Sequence, residues 1–147
     1  MFAAIVLAAA GVVAQATPSD WRVALTVAPS TATVGSPFEV RLSVTNETTQ
    51  ELGIVLGDSH CGYRFSLTES DTGSSRVFTG CKMISFVSSR GQRIAPGSSV
   101  MVRFRLTDLF TGLRAGRYVL REDGFIQAGI GYRAVPSNTV SIVLGDR

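Results

Sequence analysis

Residues 38–44 read FEVRLSV, and this stretch decides the fold because apolar and polar side chains alternate in it without a break. In an extended strand successive side chains point to opposite faces, so the alternation predicts a strand with one buried face and one solvated face. The stretches at 21–27, 100–106 and 140–144 have the same period. No segment of useful length places apolar residues at helical spacing, which indicates a domain built from strands.

Weaker strand patterns and turn residues extend this prediction along the chain. Asp71-Thr72-Gly73 separates two of the weaker patterns by the spacing of a hairpin, because glycine and aspartate favour the tight turns that join antiparallel strands. Seven to nine short strands, with turns between them and no intervening helix, predict an all-β fold, an antiparallel β-sandwich. The weaker strands are predicted at residues 52–56, 63–67, 77–79, 83–87, 118–121 and 125–132.

The composition and the first residues indicate a class and a compartment. The chain has 147 residues, of which 45% are hydrophobic and 17% charged, so it is not a disordered chain and its length suits one domain. Residues 1–16 are uncharged, largely apolar and end in Ala-Gln-Ala, the pattern of a secretory signal peptide that is too short to span a membrane. A buried N-terminal helix or strand is the alternative. We therefore expect a secreted or periplasmic domain at residues 17–147 without a transmembrane segment after cleavage.

The net charge of +3 is unevenly distributed. Residues 17–75 carry three arginines against seven acidic residues, a net charge of −4, whereas residues 76–121 carry eight arginines and one lysine against one aspartate, a net charge of +8. A basic stretch can bind an acidic protein, a polysaccharide or a phospholipid surface. The sequence favours a plainer interpretation, in which the arginines occupy outward positions on strands beside acidic strands. No nucleic acid is expected as a partner, because the net charge is small and stacking aromatics are missing.

Three short patterns resemble immunoglobulin-like domains. Residues 113–118, LRAGRY, resemble the L-x-x-G-x-Y stretch that leads into strand F of those domains. The resemblance implies that Tyr118 forms a tyrosine corner, with its hydroxyl bonded to an upstream backbone group, and that Gly116 permits the bend before it. Residues 34–46 resemble the A to B region of bacterial immunoglobulin-like modules, and residues 137–143 resemble their closing strand. The expected architecture is therefore an antiparallel immunoglobulin-like β-sandwich.

Within that class the sequence is most similar to the bacterial intracellular-proteinase-inhibitor (BsuPI-like) domain. The shared elements are a second strand that ends in asparagine, the strand at 63–67 with its Asp-x-Gly hairpin, a Pro-Gly turn at 96–97 and the Gly-x-Tyr strand at 116–118. The resemblance implies a non-enzymatic protein-binding module. It supplies no reactive-site residue, and the expected export departs from the name of the family.

Cys61 and Cys81 are the two cysteines of the chain. In an exported protein they predict an intrachain disulfide, which would stabilise a loop of this length by roughly 3 kcal/mol. A metal pair or a reactive thiol is the alternative. His60 lies beside Cys61, but one histidine and two cysteines are too few soft ligands for a closed tetrahedral site. We therefore expect neither a metal nor a cofactor.

Enzyme signatures are weak. A serine-histidine-aspartate arrangement would need His60 as its base, and nothing near the serines resembles a nucleophile elbow. The loop acids of Glu122-Asp123-Gly124 are more typical of a turn than of a general acid and base. Asn46-Glu47-Thr48 matches a glycosylation acceptor and otherwise indicates a turn at a strand end. The sequence names no catalytic residue.

Recognition of a partner remains as the expected function. Sandwich domains bind through loops or edge strands, which points to the irregular stretch 88–97 with Arg90 and Arg93 and to the glycine-rich stretch 124–132 with Phe125 and Tyr132. An ordinary buried strand is the alternative for 124–132. We expect a module that binds a protein or an envelope component, with a proteinase inhibitor and a small secreted hydrolase as the alternatives. The sequence does not indicate the oligomeric state.

Overall fold

Strands make up nearly all of the regular structure. The computed structural model describes residues 20–55, 63–79, 91–123, 126–127, 132–133 and 135–146. Its one helix, α1, is a single turn at Leu106–Leu109. The described strands are β1 Trp21–Ala28, β2 Thr31–Thr33, β3 Glu39–Asn46, β4 Leu52–Val55, β5 Arg64–Glu69, β6 Ser75–Thr79, β7 Gly91–Ile94, β8 Ser99–Arg105, β9 Gly116–Glu122, β10 Ile126–Gln127, β11 Tyr132–Arg133 and β12 Val140–Gly145. The protein is all-β, as the alternation predicts.

The strands form three sheets. The front sheet has the order β1-β3-β8, the back sheet has the order β2-β12-β9-β5-β6, and the end sheet has the order β11-β10-β4-β7. Neighbouring strands are antiparallel except β2 and β12, which are parallel. This exception arises because the chain leaves the front sheet after β1 and joins the far edge of the back sheet as β2. The back sheet is therefore mixed, whereas the sequence predicts purely antiparallel pairing.

The front and back sheets enclose the core. The alternating apolar residues face inward, so that Val40 and Leu42 on the front sheet and Leu120 on the back sheet are at most 1% exposed. The ring of Phe104 on β8 packs against that of Phe65 on β5, with centroids 5.1 Å apart in an edge-to-face arrangement. This arrangement is favourable for aromatic pairs, and it places β8 over β5, next to β6.

Asn46 lies at the junction where the front sheet continues into the end sheet. Its side-chain amide donates to the carbonyls of Gln50 at 2.7 Å and Ile94 at 2.9 Å. Its side-chain oxygen accepts from the backbone N–H and the hydroxyl of Thr48. Asn46 is fully buried, so the asparagine satisfies backbone groups where the β3 ladder stops. With both amide hydrogens engaged, Asn46 is not accessible as a glycan acceptor in the folded chain, and the turn interpretation holds.

The element boundaries differ from the sequence prediction at several points. The strand predicted at 100–106 ends at Arg105, because Leu106 turns inward to begin α1 and is 1% exposed. Twelve short strands are present among the described residues instead of seven to nine. The three-residue β2 is too short to show an alternation, and β7 lies in the stretch predicted to be irregular. The predicted strand at 125–132 is represented by the two-residue strands β10 and β11. The predicted signal peptide and the strand at 83–87 lie outside the described residues.

Candidate functional site

The described arginines of the basic stretch are exposed, and Arg93 and Arg103 have acidic neighbours from earlier in the chain. Arg93 on β7 donates to Glu51 at 2.9 Å, next to β4. Exposed pairs of this kind contribute at most about 1 kcal/mol each. The plainer interpretation of the charge asymmetry therefore describes these residues. The ion pairs among the described residues join Arg22 to Glu47, Arg41 and Arg103 to Glu39, Arg93 to Glu51, and Arg64 and Arg121 to Asp123.

Tyr118 lies on β9 with its ring buried in the core. Its hydroxyl donates to the carbonyl oxygen of Arg114, four residues upstream, at 2.9 Å. Gly116 has a φ of +157°, a conformation that other residues rarely adopt, and a Cβ there would lie 3.7 Å from the Tyr118 ring. The stretch at 113–118 thus anchors the loop before β9 to the central strand of the back sheet.

The two described residues of the sequence-predicted contact set, Arg93 and Tyr132, lie apart. Arg93 is on β7 and Tyr132 is on β11, and these strands are the opposite edges of the end sheet. Arg93 also faces Glu51, which neutralises its charge. Arg90 and Phe125 lie outside the described residues.

The cysteines also lie outside the described residues, as does His60, so the predicted disulfide stays a prediction. The described part of the stretch between Cys61 and Cys81 is the β5–β6 hairpin, in which Gly73 donates to the carbonyl of Glu69 at 2.9 Å. The turn between β5 and β6 is therefore tight. Among the described residues no group of three potential metal ligands occurs, and no helix is long and apolar enough to cross a membrane.

The edges of β1, β6 and β8 were not assigned by the sequence. The outer edge of β1 is closed at Leu25 by one side chain that precedes β12. The backbone N–H of Leu25 donates to the side-chain oxygen of Asn138 at 2.7 Å, and the Asn138 amide donates to the Leu25 carbonyl at 3.1 Å. Asn138 therefore pairs with β1 as a neighbouring strand would.

The outer edge of β6 has a different character. The backbone N–H of Glu69 donates to the Ser74 carbonyl at 2.8 Å. In an antiparallel ladder every second residue pair exchanges hydrogen bonds, so this bond and the register identify the bonded pairs of β5 and β6. The backbone N–H and C=O groups of Ser75, Val77 and Thr79 consequently point away from β5. No described strand pairs with β6 on that side.

Arg76 is the charged side chain of β6, and the side chains of Ser75, Val77 and Thr79 on its outward positions are uncharged. Val77 is 52% exposed, an unusual position for a large aliphatic side chain. The guanidinium of Arg76 turns away and donates to the carbonyl of Thr111 at 2.9 Å. The hydroxyls of Ser75 and Thr68 lie 3.1 Å apart on the outer face. Charged residues, prolines and bulges commonly protect exposed edges, and the charge at position 76 is held away from this one.

The outer edge of β8 is basic. Leu106 donates to the Phe38 carbonyl at 3.1 Å, so by the register of β3 and β8 the even-numbered residues of β8 bond to β3. Met101, Arg103 and Arg105 therefore point their backbone groups outward, and no described strand pairs with them. Their side chains lie on the outer face of the front sheet.

Two arginines lie opposite each other on that outer face. The register of β3 and β8 pairs Arg41 with Arg103, and like charges in this position are unfavourable. Glu39 accepts a hydrogen bond from Arg41 and lies 3.9 Å from Arg103. The hydrogen bond from Arg41, together with the charges of both arginines, lowers the pKa of Glu39. Glu39 is therefore ionised at neutral pH and serves as a counter-ion.

An open depression of about 480 Å³ adjoins this face. Its lining includes Ala28, Glu39 and Arg105, which are register partners across the three strands of the front sheet, and Asp108 from α1. A general acid or base is usually tuned by a raised carboxyl pKa, whereas the pKa of Glu39 is lowered. The lining also holds Arg103, so two arginines and two carboxylates face the depression.

Solved structures with a similar chain course are known. The chain superposes on the X-ray structure of the structural genomics target SoR45 with a TM-score of 0.58 and 11% identity, covering 88% of this chain and 90% of that one. It also matches the putative ApaA protein from Bordetella pertussis (TM-score 0.49, 11% identity, 84% and 94% covered). A further match is the sporulation control protein Spo0M from Bacillus subtilis (TM-score 0.43, 16% identity, 87% and 50% covered).

No protein-family model matches the chain, and no curated protein matches it in sequence. At 11% identity, the similarity to SoR45 shows a common β-rich fold and nothing about function.

Proposed function

We propose that the protein is an exported, non-catalytic module of immunoglobulin-like architecture that binds another protein by strand addition at the β6 edge. The export rests on the pattern of residues 1–16. The immunoglobulin-like assignment rests on the motif at 113–118, with support from the hydrogen bond between Tyr118 and Arg114.

The observation that carries the proposal is the outward row of backbone groups at Ser75, Val77 and Thr79. Such a row complements the backbone of an extended peptide, and strand addition is a common mode of peptide recognition. A polysaccharide or a lipid has no such backbone, which is why the proposed partner is a protein. The incoming strand meets the exposed Val77 between the hydroxyl side chains of Ser75 and Thr79. The guanidinium of the exposed Arg76 is bonded to Thr111.

The proposal is tested by capture from the cell-envelope fraction of the source organism with tagged wild-type protein and two variants. Val77→Pro removes the central outward N–H and leaves the β5–β6 ladder intact, because position 77 does not bond to β5. Val77→Thr keeps the N–H and the β-branched shape. We expect a protein that is retained by wild type and Val77→Thr and lost with Val77→Pro.

Equal retention by Val77→Pro, or no retained protein with wild type, would contradict strand addition at β6. A circular dichroism spectrum and a thermal midpoint like those of wild type establish that Val77→Pro is folded. If the retained protein is a proteinase that the module inhibits, the function is the inhibitor alternative, acting through the β6 edge.

A further inference from the structure

A second surface of the protein, separate from the β6 edge, has a different chemistry. It consists of the outward edge of β8 at Met101, Arg103 and Arg105 together with Arg41 and Glu39 on the adjoining outer face. These three cations and two anions, Glu39 and Asp108 at the end of the edge, border a row of backbone groups with which no described strand pairs. We propose that this basic edge binds an extended acidic segment of a partner protein as an additional strand.

The alternation of a strand specifies what that segment must look like. When a strand is added beside β8, every second side chain lies on the outer face next to Arg103 and Arg105, and the others lie beside the partly buried Val102. Acidic residues on the outer face would relieve the unfavourable Arg41–Arg103 pair, which Glu39 compensates only in part. The expected segment alternates acidic and apolar residues.

The arginines of the basic edge also disfavour its pairing with a second copy of the chain. If the β8 edges of two copies were paired with each other, arginines of one copy would lie near arginines of the other, and such like-charge contacts are a common device against wrong partners. Arginine on an edge strand also discourages nonspecific aggregation. The basic edge therefore disfavours a second copy and favours an acidic strand.

Exposure supports the accessibility of these groups. The side chain of Arg103 is 65% exposed and that of Arg41 is 42% exposed. The depression at one end of the edge, with Ala28, Glu39 and Arg105 in its lining, offers room for a side chain of the incoming strand.

The test uses the purified protein and fluorescein-labelled eight-residue peptides. One peptide alternates glutamate with valine, a second alternates lysine with valine, and a third has the composition of the first with its glutamates in one block. Fluorescence anisotropy should show binding of the alternating acidic peptide, and affinity at least about tenfold weaker for the other two. Methylation of the backbone nitrogens that face β8 should abolish binding.

Charge reversal identifies the surface. The double variant Arg103→Glu, Arg105→Glu should bind the alternating acidic peptide about tenfold or more weakly than wild type. It should bind the alternating lysine peptide more tightly than wild type does. Arg117→Glu is the matched control, because Arg117 is an exposed arginine on the inner strand β9 of the back sheet, and it should leave both affinities unchanged. A wild-type thermal midpoint for the double variant establishes its fold.

Three results would overturn the proposal. The first is that the peptide with its glutamates in one block binds as tightly as the alternating acidic peptide. The second is that Arg117→Glu weakens binding of the acidic peptide as much as the double variant does. The third is that the alternating acidic peptide does not bind up to millimolar concentration. Val77→Pro should not change the affinity for the acidic peptide. The proposal for the basic edge and the proposal for the β6 edge are therefore tested independently.

Discussion

The two long edges of the front sheet differ although both belong to strands of similar length. β1 lies beside β12 of the back sheet, and its Leu25 backbone groups are bonded by Asn138. The outward groups of β8 have no strand partner among the described residues. One asparagine thus closes the β1 edge at Leu25 from the opposite layer. Beyond β8, and likewise beyond β6 in the back sheet, no described strand follows.

The largest predicted change in stability distinguishes proline substitutions at two neighbouring residues of β8. Val102→Pro removes a ladder N–H and leaves the Leu42 carbonyl without its donor, which should lower the free energy of unfolding by about 3 kcal/mol. Arg103→Pro removes an outward N–H and should change it by less than about 0.5 kcal/mol. Urea unfolding of both variants measures the difference. Equal destabilisation would mean that the β8 edge is not open.

The next effect concerns the closed edge. Asn138→Ala leaves both Leu25 backbone groups without their side-chain partner and should lower the free energy of unfolding by about 2 kcal/mol. Asn138→Asp keeps an acceptor for the Leu25 N–H and should fall between the alanine variant and wild type. Thermal and urea unfolding provide the values. An alanine variant as stable as wild type would show that Asn138 does not close the edge.

The smallest effect concerns the counter-ion of the basic edge. The pKa of Glu39 is lowered in the folded protein, so its stabilising contribution is present above the pKa of the unfolded chain and is lost as the pH falls through the folded value. Glu39→Gln should therefore be slightly less stable than wild type at pH 7 and equal to it in acid, as measured by urea unfolding at both pH values. It should also bind the alternating acidic peptide more tightly, because a competing carboxylate is removed.

Local alternation was sufficient to predict most of the core. The pattern at 38–44 predicted β3, and Asp71-Thr72-Gly73 predicted the β5–β6 hairpin. β2 was not predictable, since three residues cannot show a period and its parallel partner β12 is more than a hundred residues away in the chain. β3 and the hairpin are thus set by residues close together in the sequence, whereas β2 is set by a partner far away in it.

The candidate sites were less predictable than the core. Whether the N–H of Arg103 or of Val77 is bonded depends on strand order, which is a property of the whole sheet rather than of local sequence. Asn138 reads locally as a turn residue, and its role appears only when Leu25, 113 residues earlier, lies beside it. Arg93 was predicted as a contact residue from its loop-like setting, but it lies on β7 and faces Glu51.

The β8 and β6 edges are expected to be open in solution, whereas the β1 edge is closed at Leu25. Amide hydrogen exchange, resolved by residue with NMR, measures this directly. We expect slow exchange at Leu25 and at Val102, and fast exchange at Arg103 and at Val77. Protection of the Arg103 and Val77 amides equal to that of Leu25 would contradict it.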